Sequence, residues 1–305
     1  MLPQLTAGRL FVTDGGLETT LIFHHGIDLP YFAAFDLLKD EAGRDALRRY
    51  YAPYVAVARR RGAGIVLDSA TWRASRDWGE RLGYSAEQLA EANRRAVGLV
   101  EELRDAEPAV DAVLNGVVGP RGDGYVVGET MTAADAEAYH GEQIGTFAGT
   151  AADMVSAITM TYVEEALGIA RAAQAAGLPA VISFTVETDG RLPSGQPLRE
   201  AVEQVDAETG SSPAYYMVNC AHPTHFAGVL EDGPWLERVG GLRANASTMS
   251  HAELDEATEL DEGDPAQLAA DYRALRDRLP RATVLGGCCG TDDRHVAAVA
   301  DAWVR

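Results

Sequence analysis

The stretch "TVLGGCCGTDDRHV", residues 283–296, runs from an apolar strand through a glycine-fenced turn into a helix. Residues 283–287 are short, β-branched at the start and without charge, as suits a strand buried on both faces. A helical pattern follows over 292–303. Between them stand Cys288 and Cys289, two of the three cysteines in the chain, flanked by Gly286, Gly287 and Gly290. The fold depends on whether this strand–turn–helix unit recurs upstream.

It recurs along the whole chain. Strand-like runs at 9–14, 63–68, 111–118, 154–159, 179–184, 215–219 and 239–245 precede the one at 283–287. Helical patterns separate them at 43–61, 85–103, 132–149, 162–176, 197–207, 224–231 (short) and 265–278. The boundaries carry chemistry. Ser85 with Gln88 makes a capping box, Thr132 caps the next helix, and Gly177 with Pro179 ends the fourth. Leu47, Tyr50, Tyr51, Tyr54 and Ala58 lie at helical spacing. Eight alternating units with apolar strands predict a single-domain (β/α)8 TIM barrel over 1–305. The alternative is an open doubly wound sheet. No G-x-G-x-x-G follows the first strand, which weakens a dinucleotide-binding version of it. The acidic segment 245–264 is the irregular part.

The chain has 305 residues, 47% of them hydrophobic, and a formal net charge of −20. Such a charge disfavours nucleic acid and anionic membranes as partners. It suits a solvated acidic surface, or a field that draws in a cationic substrate. No apolar run reaches the ~18–20 residues of a membrane span. Residues 1–9 lack the basic start and apolar stretch of a signal peptide, so a reducing cytoplasm is the expected compartment. Three cysteines, an odd number, are then thiols or metal ligands there.

In a TIM barrel, reactive groups gather at the C-terminal ends of the strands. Asp14 ends the first strand, Asp68 and Ser69 the second, and Glu187 follows the fifth. Cys220 follows the sixth strand, and Cys288 and Cys289 follow the eighth. Ends six and eight are near neighbours around the ring, so three sulfurs can converge. Three thiolates suit Zn2+ and leave its fourth position open, as in catalytic sites. Taken singly, a strand-end cysteine reads as a small buried hydrophobe, and a Cys-Cys pair as a vicinal disulfide or chance. His222, His225 and His295 compete as a fourth ligand, or else face solvent or cap helices. Trp72, Trp78 and Tyr31 can form a cage for a cationic methyl donor, or simply pack.

With those residues in view, "NCAHP" at 219–223 and "GGCCGT" at 286–291 resemble the zinc-dependent homocysteine S-methyltransferase family. The resemblance covers nearly the whole chain. "TDGGLETTL" (13–21), "TWRAS" (71–75), "NGVVGPRGD" (115–123) and "SFTVETDGRLPSGQPL" (183–198) are similar to family segments and stand in the family's order. It implies a TIM barrel in which Cys220, Cys288 and Cys289 hold zinc. An acceptor thiol, by default homocysteine, takes the fourth position. The zinc-activated thiolate attacks the methyl group of a small sulfonium or ammonium donor, so no protein side chain acts as nucleophile. Asp14 and Gly15 match the family's acceptor-binding pair. The implied partners are a small-molecule thiol and a methyl donor, with a homo-oligomer left open.

Two segments depart from the family pattern. The family's fourth strand ends in a Glu-Thr pair, whose acid receives the acceptor's ammonium group. The matching positions are Ile158 and Thr159, so Thr159 remains a substrate-binding candidate and the Glu is absent. Near the seventh strand, "RANAS" (243–247) replaces Pro-Asn-Ser-Gly. An ammonium buried without a carboxylate is costly. Either Glu187 or an acid of 245–264 substitutes, or the acceptor is a different thiol.

Overall fold

The computed structural model describes residues 2–303. Eight strands, β1 (Phe11–Val12), β2 (Gly64–Asp68), β3 (Ala112–Val118), β4 (Met154–Met160), β5 (Ala180–Phe184), β6 (Tyr215–Asn219), β7 (Val239–Ala244) and β8 (Val284–Gly287), close a barrel in chain order. Every neighbouring pair is parallel, including β1 with β8. Parallel neighbours need crossover connections, and helices on the outside supply them. The sixth crossover is the short helix Pro223–Phe226 followed by 3-10 turns. The expected TIM barrel is thus the observed fold, and the open sheet is excluded.

The local signals act as written. Ser85 and Gln88 form a capping box, Thr132 accepts from the Asp135 amide, and Gly177 ends its helix with a φ of 72°. Several boundaries differ from expectation. The helix expected at 43 begins at Glu41, because Asp40 caps it by accepting from the Gly43 amide at 2.8 Å. The first strand spans two residues, although the Thr13 amide still pairs with the Leu285 carbonyl at 2.9 Å. The irregular 245–264 segment contains a helix, His251–Glu256, with its own Ser250–Glu253 capping box.

Strand residues alternate between two shells. Outward residues such as Ile65, Leu67 and Leu114 pack under the helices. Phe11, Val66, Val113, Met154, Val181 and Tyr215 fill the lower interior. Leu2 joins that cluster from below, and Thr283 Oγ1 donates to the Gln4 carbonyl at 2.8 Å, so the N-terminal segment closes the floor. Further along the same inward rows the chemistry changes. Asp68, Asn115, Ser156, Ser183, Asn219 and Arg243 are all buried. A polar upper storey above an apolar floor puts the functional chemistry at the C-terminal rim.

Candidate active site

Cys220 leaves β6 with a φ of 52°, rare for a residue with a side chain. Its amide donates to the Arg243 carbonyl at 3.1 Å, and its carbonyl meets His251 Nε2 at 2.8 Å. The Cys288 amide donates to the Ala244 carbonyl at 2.8 Å, and the Cys288 carbonyl accepts from Thr291 Oγ1 at 2.7 Å. The turn is therefore fixed through its backbone, which leaves the sulfurs free to point together. Of the three glycines beside the pair, only Gly290 uses a left-handed conformation, with a φ of 76°. Gly286 and Gly287 are strand residues, kept small because Thr13 and Thr291 occupy the space of a Cβ.

The Sγ atoms of Cys220, Cys288 and Cys289 all lie within 4.8 Å of one another. Cys220 and Cys288 are joined as a disulfide, with Cα atoms 5.4 Å apart, and Cys289 is free. Tetrahedral zinc with ~2.3 Å bonds separates its sulfur ligands by roughly 3.8 Å. Once reduced, these three sulfurs fit one such ion with little movement. Burial pushes the Cys289 thiol up. A cation at the cluster is what would hold it as a thiolate at neutral pH. Tyr125 Oη donates to Cys289 Sγ at 3.4 Å, and its ring stacks on His251 with centroids 4.1 Å apart.

Between the two cysteine-bearing strand ends, on β7, stands Arg243. Its guanidinium pairs with both Asp14 and Asp68, and Nε donates to the Gly287 carbonyl at 3.2 Å. Tyr50 Oη donates to Asp14 at 3.0 Å, and Asn115 Nδ2 to Asp68 at 2.6 Å. Burial raises the Asp14 carboxyl to about 7; Arg243 opposes the rise and Asp68 adds to it. Two buried carboxylates share one cation, so one of them keeps its affinity for a proton. At the end of β4, with its hydroxyl 3.9 Å from Cys220 Sγ, Thr159 adopts a φ of 67°, a strained value for a β-branched residue. Asn219 holds it there: Oδ1 accepts from the Thr159 amide at 3.0 Å, and Nδ2 donates to Thr159 Oγ1 at 2.8 Å.

One pocket, open to solvent, is lined by Asp14, Gly15, Thr159 and all three cysteines. Asp68 and Ser69 also line it, as does the apolar trio of Ile158, Trp72 and Val117. Several sequence candidates lie elsewhere. Glu187 is engaged by His251 Nδ1 at 3.1 Å and does not line the pocket, whereas Asp255 of the acidic segment does. No histidine joins the sulfur cluster among the described residues. His222 caps the helix at Pro223, His225 meets the Thr248 carbonyl, and buried His295 bonds Asp292 and the Glu262 carbonyl. Trp72 and Trp78 do flank a cation, but it is the chain's own Arg73, 3.9 Å from each ring, with Tyr31 tilted against Trp78. The aromatic cage for a donor is therefore filled from within. Sequence reading missed Arg243, Asn219, Tyr125 and Arg73. The first had a signal: an arginine in the apolar run "VGGLRAN" has to find buried acids.

Comparison with known proteins agrees with the fold. Three structures of the homocysteine methyltransferase MmuM from Escherichia coli share the fold. The oxidised form superposes with a TM-score of 0.77 at 20% identity, covering 98% of both chains. The metallated form gives 0.76 at 20% identity, covering 98% of this chain and 99% of that one. The apo form gives 0.70 at 19% identity with the same coverage. Among curated protein sequences nothing matches. The family model for homocysteine S-methyltransferase matches residues 11–303. With that match spanning all eight strands and both cysteine segments, the chain belongs to the homocysteine S-methyltransferase family and is an S-methyltransferase.

Proposed function

We propose that this enzyme moves a methyl group from a small sulfonium or ammonium donor to a thiol, by default homocysteine, giving methionine. S-Methylmethionine, S-adenosylmethionine and betaine are donors of the required kind. Cys220, Cys288 and Cys289, reduced as the cytoplasm would keep them, are the residues that would hold Zn2+. Zinc, when bound, supplies the positive charge that keeps a coordinating thiol deprotonated at neutral pH and leaves one position for the acceptor. The acceptor sulfur forms its bond to the methyl carbon as the donor's C–S+ or C–N+ bond breaks, and the electron pair departs on a neutral sulfide or amine. A thiolate and a cation thus become neutral products, and a dry pocket favours such charge cancellation.

The chain's own residues supply the setting. Ile158, Trp72 and Val117 form an apolar wall where the methyl group travels, and Trp72 Nε1 is tied to the Ile158 carbonyl at 3.2 Å. Asn219 and Thr159 set the backbone from which Cys220 points. Asp14, Gly15 and Thr159 face the acceptor. The observation that carries the reading is the convergence of three sulfurs from two strand ends at one pocket. The test is to load the reduced protein with zinc, supply homocysteine and methyl-labelled S-methylmethionine, and follow labelled methionine by mass spectrometry. Label that requires zinc and is lost in Cys289→Ser, with the variant still folded, is the expected result. A protein that binds one zinc and transfers no label from any of the three donors would overturn the reading. A second reading, a different thiol as acceptor, is favoured by one observation: Asp14 is already paired with Arg243.

A further inference from the structure

Two charged side chains lining the pocket form no ion pair among the described residues. Glu18 stands on the short helix Leu17–Thr19, whose Gly16 is pressed against the Cys288 carbonyl: an added Cβ there would lie 2.7 Å from that oxygen. Glu18 lines the same pocket as the three cysteines. Its carboxylate bonds only its own backbone. Burial pushes that carboxyl up, with Arg243 and Arg73 pulling the other way. Arg73 lines the pocket as well, sandwiched between Trp72 and Trp78. It is 6% exposed and makes a single hydrogen bond, Nη1 to the Gly122 carbonyl at 2.7 Å. Its Nε has no partner, and burial pulls the guanidinium down to about 10.

Among the described residues, neither Glu18 nor Arg73 forms an ion pair; Arg73 feels the charge of Asp123 first and Glu18 second, and Glu18 feels Arg243 first and Arg73 second. Unpaired buried charges are costly and are retained where something compensates them. The acids that might otherwise serve are engaged. Asp14 and Asp68 are held by Arg243, Glu187 is held by His251, and Asp123 accepts from the Tyr125 and Val126 amides. Asp255 lies exposed at the mouth.

We infer that Glu18 and Arg73 are the two poles of a clamp for a zwitterionic acceptor, Glu18 receiving the α-ammonium and Arg73 the α-carboxylate. This rests on the thiol-acceptor reading above and names the substrate class of the same pocket. In an α-amino-acid thiol such as homocysteine the ammonium and carboxylate share one carbon, roughly 4 Å from the sulfur. A molecule of that shape bridges two opposite charges that do not touch, while its sulfur reaches the cysteines. The clamp moves ammonium recognition from the fourth strand, where Ile158 is apolar, to the loop after β1. It makes Glu18 and Arg73 specificity-determining residues.

The test is calorimetric and needs no turnover. Zinc-loaded, reduced protein is titrated with homocysteine, with 4-mercaptobutanoate, which lacks the ammonium, and with 3-mercaptopropylamine, which lacks the carboxylate. Homocysteine should bind about tenfold or more tighter than either analogue. Glu18→Gln should bring homocysteine to the level of 4-mercaptobutanoate and leave that analogue unchanged. Arg73→Met should do the mirror image with 3-mercaptopropylamine, and Arg73→Lys, which keeps the charge and guards against misfolding, should restore part of the loss. Equal effects of each substitution on all three thiols, or none, would overturn the clamp alone. Wild-type protein that binds zinc and no thiol would overturn both the clamp and the acceptor reading.

Discussion

The two sides of the pocket are built by opposite rules. On the sulfur side, three side chains of one type converge from the ends of β6 and β8, and their positions are set by backbone hydrogen bonds. On the acid side, side chains from β2, β7 and the end of β1 are held by one another, with Arg243 bridging Asp14 and Asp68. A site fixed by backbone tolerates change in its neighbours. A site fixed by mutual charge changes as a unit or fails. The cysteine segments follow the family pattern closely, while Ile158 on β4 and "RANAS" at the end of β7 depart from it.

The comparison is broken most directly at Arg243. Arg243→Met leaves two buried carboxylates without their cation and should cost about 3–5 kcal/mol in chemical denaturation. A loss below about 1 kcal/mol at neutral pH would mean that the acid side does not depend on mutual charge. Asn219→Ala tests the joint between the two sides. It strands the buried Thr159 amide and should cost about 1–3 kcal/mol, with weaker zinc binding by competition with a chelator, because Cys220 follows directly. Unchanged zinc affinity in a destabilised variant would show that the sides are independent.

The third prediction concerns pH. Asp14 titrates at about 7 in the folded protein and near 3.8 in the unfolded chain. The folded state holds the extra proton between those values. The stability this contributes is complete below 3.8 and is lost as pH rises through about 7. In the Asp14→Asn variant the fall in denaturation midpoint over that window should flatten; an unchanged slope would place the titration elsewhere. The smallest effect belongs to Tyr125→Phe, which removes the hydroxyl donated to Cys289 Sγ. It should cost about 1 kcal/mol or less and leave the His251 stack intact.

The sequence by itself determined the barrel and the sulfur side. Alternating apolar strands and capped helices are local patterns, and eight of them in a row admit few topologies. The cysteines were legible because a strand-end position specifies the rim, and three residues of one rare type are easily recognised there. Only the tertiary structure decided the acid side. That Arg243 reaches Asp14 and Asp68, 229 and 175 residues away in the chain, depends on barrel register. That Arg73 fills the gap between Trp72 and Trp78 depends on how a loop folds back. That Glu187 turns to His251 while Glu18 stays free depends on which partners packing brings within reach. Local patterns are written in neighbouring residues; charge pairing is settled by distance in space, which the barrel sets only when it closes.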